Sequence, residues 1–248
     1  MPANRRSGNN IPVINPHDYG SIVFFTGAGM SAESGIPVYR GTGGTWHQYN
    51  WQDHACQKAF ERHPEKVLEF HELRRSAVLE CQPHAGHIII SQVQMQHQNT
   101  WIVTQNIDGM HQRAGSKKVI ELHGSLWRLR CRQHGIHEDF EAQYKTRKCQ
   151  HCANWLRPDV TWFEDMLDIN LMETTAQLAA NADLFITIGT SGVVFPAATF
   201  PVLAHESGAY TICINAEFPE NPAIFDDVFI GKASEILGKM FNPGSIET

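Results

Sequence analysis

The sequence predicts an α/β fold, a doubly wound parallel sheet that carries a small inserted metal-binding module. Short β-rich apolar runs alternate with longer helical patterns, the order that builds a parallel sheet covered on both faces. The first run, Ile22 to Phe25, passes at once into Thr26-Gly27-Ala28-Gly29-Met30-Ser31-Ala32, a G-x-G-x-x-A turn opening a helix. Between Leu126 and Phe163 the alternation breaks, and clustered cysteines, charged residues and short alternating stretches replace it.

Residues 1–19, polar and rich in Pro and Asn, read as a loosely held lead-in. The unbroken apolar character of Ile22 to Phe25 fits a strand buried on both faces. The glycines after it let the backbone turn tightly and approach a pyrophosphate. The helix start near Ser31 offers free N–H groups and partial positive charge to the phosphates. Gly41 to Asn50, rich in Gly and Thr, reads as a mobile loop. Helical patterns cover about Ala55 to Arg62, Pro64 to Glu80 and Ala85 to His97, with Pro64 suited to a first turn. Strands are expected at Thr100–Thr104 and Val119–Leu122, then at Asp183–Ile188, Tyr210–Ile214 and Val228–Ile230. Helices are expected at Pro196–Glu206 and Ser234–Phe241. The expected organisation is one nucleotide-binding domain, 20–125 plus 164–248, with a helical insert at about 41–98 and a module at 126–163.

With 248 residues, 42% hydrophobic and 19% charged, the chain has the make-up of an ordinary globular protein. Its net charge of −6 gives no reason to expect nucleic acid as a partner. No window approaches the roughly 20 apolar residues of a membrane span, and residues 1–15 lack an apolar signal core. A cytoplasmic monomer, without membrane contact, is the expectation. Of six cysteines, Cys56, Cys81 and Cys213 are scattered and Cys131, Cys149 and Cys152 cluster. In a reducing compartment such a cluster suggests metal rather than disulfides. Cys131-x2-His134 and Cys149-x2-Cys152 form two ligand pairs, each on a tight knuckle, and two knuckles close a zinc tetrahedron. His137 and His151 are alternative fourth ligands, and a metal-free insert with three free thiols is the bland reading. Four protein ligands would make the zinc structural.

In open α/β sheets ligands lie beyond the carboxyl ends of the strands. Those ends carry Gly27-Ala28-Gly29, Gln105-Asn106-Ile107-Asp108, His123, Gly189-Thr190-Ser191 and Asn215-Ala216-Glu217. Asn and Asp also stop strands, but five polar ends on one edge point to a site. A hydride-transferring dehydrogenase fits poorly. It expects an apolar strand ending in an acidic residue about 20 residues after the glycine turn, and no such strand precedes Asp53.

These residues resemble the sirtuins, a family of NAD-dependent protein lysine deacylases with a Rossmann-like domain. The matching stretches are GAGMSAESGIP with Tyr39-Arg40, TQNIDGMH from Thr104, ELHG from Glu121, GTSGVVFPA from Gly189 and INAE from Ile214. EFHELRR and PHAGH further resemble the branch holding bacterial enzymes and mitochondrial desuccinylases. The resemblance implies NAD extended over the sheet edge. Gly27, Ala28, Gly29, Ser31, Tyr39 and Arg40 would lie along it, with Gln105, Asn106 and Asp108 round the nicotinamide ribose. Gly189, Thr190, Ser191, Asn215, Ala216, Glu217 and Ala233 would hold the adenosine side. Asn106 and Asp108 would help force nicotinamide into a buried pocket. His123 would be the general base, its ordinary pKa near 6.5 suiting the task. The substrates would be acylated lysines of proteins. His71 and Arg74, three apart on a helix, would face the acyl group. His71 stands where the desuccinylase branch has tyrosine, while a solvated basic face of Arg74 and Arg75 is the alternative. Phe163 and Glu164, with Val193, Val194 and Phe195, would sandwich the substrate peptide. Glu164 replaces a usual glycine, Tyr39 a more common phenylalanine and His134 a usual cysteine. ADP-ribosyl transfer to protein and a non-catalytic NAD-sensing domain remain as rival readings.

Overall fold

A computed structural model describes residues 11–38, 44 and 49–241. Its elements in chain order are β1 (Ile22–Thr26), α1 (Ala28–Ala32), α2 (Trp51–His54), α3 (Gln57–Arg62), α4 (Pro64–Leu79), α5 (Ala85–Gln96), β2 (Thr100–Thr104), α6 (Met110–Arg113) and β3 (Val119–Glu121). There follow β4 (Gly124–Cys131), β5 (Gly135–Glu138), β6 (Arg157–Val160), α7 (Ile169–Ala180), β7 (Leu184–Ile188), α8 (Thr199–Glu206), β8 (Tyr210–Asn215), β9 (Asp227–Ile230) and α9 (Ala233–Met240).

Six strands form a parallel sheet in the order β3-β2-β1-β7-β8-β9. Alternate side chains of β1 serve its two faces, which is why the strand is apolar throughout. Ile22 and Phe24 pack with Ile90 and Val93 of α5 and Leu237 of α9. Val23 and Phe25 pack with Ala179 of α7 and Phe200 of α8. The sheet is thus covered on both sides, as expected for a doubly wound fold.

A second, antiparallel sheet runs β5-β4-β6. Its inner residues Leu126, Trp127, Leu129 and Leu156 share one core with Phe60, Val67 and Leu68 of α3 and α4. Helix α5, though inside the expected helical insert of 41–98, packs on the parallel sheet, whereas helices α3 and α4 and the small sheet pack as one body. Arg75 of α4 lies at their junction, fully buried. Its guanidinium donates to the backbone oxygens of Leu126 (2.9 Å) and Asp139 (2.8 Å) and to Asp139 Oδ1 (2.6 Å). Rings of Tyr144 and Trp127 flank it, centroids 4.2 and 5.3 Å from its central carbon. A solvated basic face at Arg74 and Arg75 is therefore wrong for Arg75.

Three further differences have physical causes. The lead-in is packed from residue 11 onward: Ile14 is 4% exposed and its N–H donates to the Met240 oxygen at 2.7 Å. Helix α7 is weakly marked because its fully buried positions are the small residues Thr175 and Ala179 while Leu171, Met172 and Leu178 are only half-buried, although Asp168 caps it through Asn170 N and Leu171 N. Asn50, the last residue of the expected loop, caps the single turn α2 that follows it, while most of residues 41–50 lie outside the described residues.

Candidate active site and metal centre

The chain winds outward from β1 through β2 to β3, then from β7 through β8 to β9 on the other side. The carboxyl ends of β1 and β7 flank this reversal, where open α/β sheets bind ligands. Gly27 N–H donates to Ile188 oxygen and Gly29 N–H to Gly189 oxygen, both at 2.9 Å. A Cβ on Gly29 would stand 2.7 Å from Gly189 Cα, and one on Gly189, at φ +61°, would stand 2.3 Å from Met30 N. The glycines thus let two backbones touch, leaving Ala28 and Gly29 partly exposed at the site edge. Tyr39 and Arg40 lie outside the described residues.

Behind this edge runs a buried polar chain. Thr26 Oγ1 donates to Thr104 Oγ1 at 2.8 Å, which also accepts from Asn106 N at 3.0 Å. Asn106 Nδ2 donates to Gly27 oxygen at 2.9 Å and Ser31 Oγ at 3.2 Å. Asp108 Oδ1 accepts from Met110 N at 2.9 Å, and Trp127 Nε1 holds the Asp108 carbonyl at 2.8 Å. Burial pushes the Asp108 carboxyl up, opposed by the Met110 N–H and the Ser31 hydroxyl. Ser31, Asn106 and Asp108 therefore form one fixed cluster.

His123 follows β3, its Nδ1 3.0 Å from the Gln105 carbonyl oxygen. A carbonyl only accepts, so Nδ1 carries the proton and Nε2 keeps its lone pair. Burial lowers the pKa of the ring, against the opposing hydrogen bond to Gln105. A neutral imidazole with Nε2 as acceptor is the form a general base needs. The His123 oxygen in turn accepts from Thr161 N at 2.9 Å, tying the loop after β6 to the base.

Beneath the cluster lie three further histidines, His84, His87 and His111. His111 Nε2 is 3.0 Å from Thr26 Oγ1, and ring centroids step 4.9 Å to His87 and 4.3 Å on to His84. Among the described residues, both His87 ring nitrogens and His111 Nδ1 are buried without a hydrogen-bond partner. Burial lowers His87 to about 2 and His111 to about 3. The unfolded chain protonates these rings below about 6.5 while the folded protein does not, so stability falls as pH drops through that value. Each contributes a loss of about 1.4 kcal/mol per pH unit. Urea unfolding at pH 5 and 7 should show His87→Gln losing about 2 kcal/mol less between them than the native protein. Equal losses would sink this account.

At the other end, Asn215 Nδ2 donates to Thr190 oxygen at 3.0 Å, fixing the ends of β7 and β8 together. Ser191, Ala216 and Glu217 are exposed there. Ala233 is buried at the start of α9, and Glu33 beside it accepts from Ser234 N at 3.1 Å and Ser234 Oγ at 2.5 Å. The cofactor candidates of the described residues thus line one edge.

His71 and Arg74 share α4 but differ in environment. His71 is 1% exposed, and its Nε2 accepts the Trp162 indole N–H at 3.2 Å. Burial, then the charge of Arg74, holds the ring well below its ordinary pKa, so it is neutral with Nδ1–H as its donor. Arg74 lies half-buried over the Phe70 ring at 5.9 Å. Phe163 is anchored by its N–H to Ala55 oxygen at 3.2 Å and packs against the Trp51 ring, centroids 4.7 Å apart and planes tilted by 38°. Glu164 has φ +73°, a left-handed backbone that explains why glycine is usual there, and its carboxylate faces Lys58 at 4.0 Å. Val193 and Val194 are half-buried, and Phe195 is 75% exposed.

The ligand atoms of Cys131, His134, Cys149 and Cys152 all lie within 4.8 Å of one another. His134 Nδ1 is 3.5 Å from Cys131 Sγ and 3.4 Å from Cys149 Sγ, and Cys131 Sγ is 3.6 Å from Cys152 Sγ. Zn–S bonds of about 2.3 Å imply tetrahedral edges of about 3.8 Å, close to these separations. The four residues fit a structural zinc. His134 fills the fourth place, while the His151 ring lies tilted beside it, centroids 5.1 Å apart, and His137 stands outside the group.

Comparison with known proteins agrees with this geometry. The family model described as Sir2 family matches residues 27–196. An NAD-dependent protein deacylase of Aquifex aeolicus is 42% identical over 228 residues, covering 90% of this chain and 94% of that protein. A Sir2 homologue solved with NAD superposes with TM-score 0.82 at 34% identity, covering 92% of this chain and 93% of that one. A Sir2 protein bound to deacetylated p53 peptide and 3′-O-acetyl-ADP-ribose gives TM-score 0.80 at 28% identity, over 90% and 93% of the two chains. A doubly wound sheet, a glycine turn at its switch point and a Cys3His knuckle pair thus come together in a member of the Sir2 family, the sirtuins.

Proposed function

We infer that the protein is an NAD-dependent protein lysine deacylase, producing deacylated lysine, nicotinamide and O-acyl-ADP-ribose. The observation that carries this reading is His123, its Nδ1 held by Gln105 and its Nε2 left as base on the edge that presents Ser31, Asn106 and Asp108. NAD, when bound, would supply the ADP-ribose that accepts the acyl group as nicotinamide departs, with one water consumed as the lysine amine is freed. Asn106 and Asp108 offer an amide and a carboxyl in a dry cluster fixed by Thr104, Ser31 and Met110. Their rigidity suits them to orient the carboxamide and ribose. His123 Nε2 takes a proton from a ribose hydroxyl so that the acyl group can migrate. A zinc held by Cys131, His134, Cys149 and Cys152 would brace the small sheet without touching the reaction.

The acyl end is read by His71 and Arg74. A neutral Nδ1–H donor and a guanidinium together suit a succinyl or malonyl carboxylate, while acetyl needs neither. No described helix is long and apolar enough to cross a membrane.

The test is NAD-dependent turnover of matched acetyl-lysine and succinyl-lysine peptides, following nicotinamide and peptide mass. Both products should appear in equal amounts. Arg74→Met should lower kcat/KM for succinyl-lysine about 10- to 100-fold, as loss of a charge-assisted contact implies, and leave acetyl-lysine within about threefold. Nicotinamide released without deacylated peptide would turn the reading to ADP-ribosyl transfer.

A further inference from the structure

On the sheet face covered by α7 and α8 lies an open groove of about 770 Å³ that meets the residues of the catalytic reading only at one end, at Thr190, Val193 and Phe195. Its floor and walls are apolar, with Met172 and Ala176 from α7, Leu203 from α8, and Ile224 and Phe225 from the segment before β9. Three carboxylates, Glu173, Glu206 and Glu220, line it, and among the described residues no lysine, arginine or histidine does. One wall is made by Gly192, Val193 and Phe195. Those residues belong to the loop that leaves the carboxyl end of β7, beside the glycine turn of the site. The groove is therefore continuous with the loop read as the substrate-peptide wall, and Phe195, 75% exposed, stands at the junction.

We propose that this groove is an exosite for the protein substrate, receiving an apolar side chain flanked by lysine or arginine at a distance from the acylated residue. The inference rests on the deacylase reading. An apolar trough rimmed by like charges, none of them in an ion pair among the described residues, is complementary to a basic segment. Complementarity of this kind speeds encounter and fixes register. The trough supplies apolar burial to a segment outside the reacting centre, since neither His123 nor Asn106 nor Asp108 lines it. Binding there lowers KM and leaves kcat unchanged.

The experiment compares a short acetyl-lysine peptide with longer ones extended, at either end, by a leucine-lysine-arginine segment. Ala176→Trp fills the trough, and the surface pair Glu173→Lys with Glu220→Lys reverses its rim without altering the core. In the native protein one extended peptide should show a KM about fivefold below that of the short peptide, an advantage that shrinks with added salt. Both variants should abolish the advantage, with the short peptide and kcat unchanged. Fluorescence anisotropy of the labelled extended peptide, deacetylated beforehand, reads the groove without turnover and should weaken in both variants. Equal KM and equal anisotropy in all three proteins would overturn the exosite. So would light scattering that shows the native protein dimeric and the variants monomeric, since a second copy would then fill the groove. Anisotropy that depends on the groove without deacetylation of any peptide would instead remove the deacylase reading and leave the exosite standing.

Discussion

His123→Asn is expected to lower kcat/KM for acyl-lysine peptides by about 10²- to 10⁴-fold, the range a positioned general base supplies. The choice of asparagine isolates the chemistry. Its amide N–H can replace the Nδ1–H donated to the Gln105 carbonyl, so the loop geometry has a substitute. Nothing in it replaces the Nε2 lone pair. NAD affinity should therefore stay within a few-fold while turnover collapses, and alanine should be no worse than asparagine. The pH profile supplies a second check. Burial depresses the ring's pKa, so the base form persists below pH 6.5, and activity declines only as pH falls through the lowered value. The acid limb of kcat/KM should accordingly lie below pH 6.5 and be missing from the residual activity of the variant. Asparagine retaining a tenth of native turnover would remove His123 from the role of base.

The parallel sheet was legible because its strands are buried on both faces and so read as unbroken apolar runs. Ile22 to Phe25 and Thr100 to Thr104 carry that signal without help from tertiary context. The strand-end residues were legible for a related reason: polar groups directly after such runs must emerge on one edge of a parallel sheet. What remained hidden depended on partners distant in sequence. Arg75 sits beside Arg74 in a charged stretch, and nothing local distinguishes a buried guanidinium from a solvated one. Its acceptors lie 51 to 66 residues away. Ile14 is one apolar residue in a polar lead-in, and only the end of α9 gives it a place. Helix α7 fully buries only the small Thr175 and Ala179 and leaves Leu171, Met172 and Leu178 half-buried, which blurs its apolar stripe, though Asp168 was a readable cap. For the fourth zinc position, spacing left three histidines open, and the folded knuckle brings His134 Nδ1 to the sulfurs.

Replacing Arg75 by methionine is expected to cost about 3–5 kcal/mol of unfolding free energy, the consequence of removing one partner from a buried ion pair. Methionine matches much of the side chain's bulk, so the loss is electrostatic rather than a cavity. Asp139 would remain buried as a carboxylate, still accepting from Glu141 N and Lys145 N but without its cation. The backbone oxygens of Leu126, Asp139 and Glu141 would lose a donor at the same time. Lysine at 75 retains a charge but not the planar set of donors that reaches several acceptors at once, so it should fall between. Asparagine at 139 separates the charge from the carbonyls. In the Arg75→Met background it removes the stranded carboxylate and should recover part of the loss, whereas alone it weakens the pair, so the double-mutant cycle should show clear coupling. Urea unfolding followed by tryptophan fluorescence is well placed to report it, because Trp127 stacks against the guanidinium. Arg75→Met within about 1 kcal/mol of the native protein would show that the insert and the small sheet are held together by their apolar core alone.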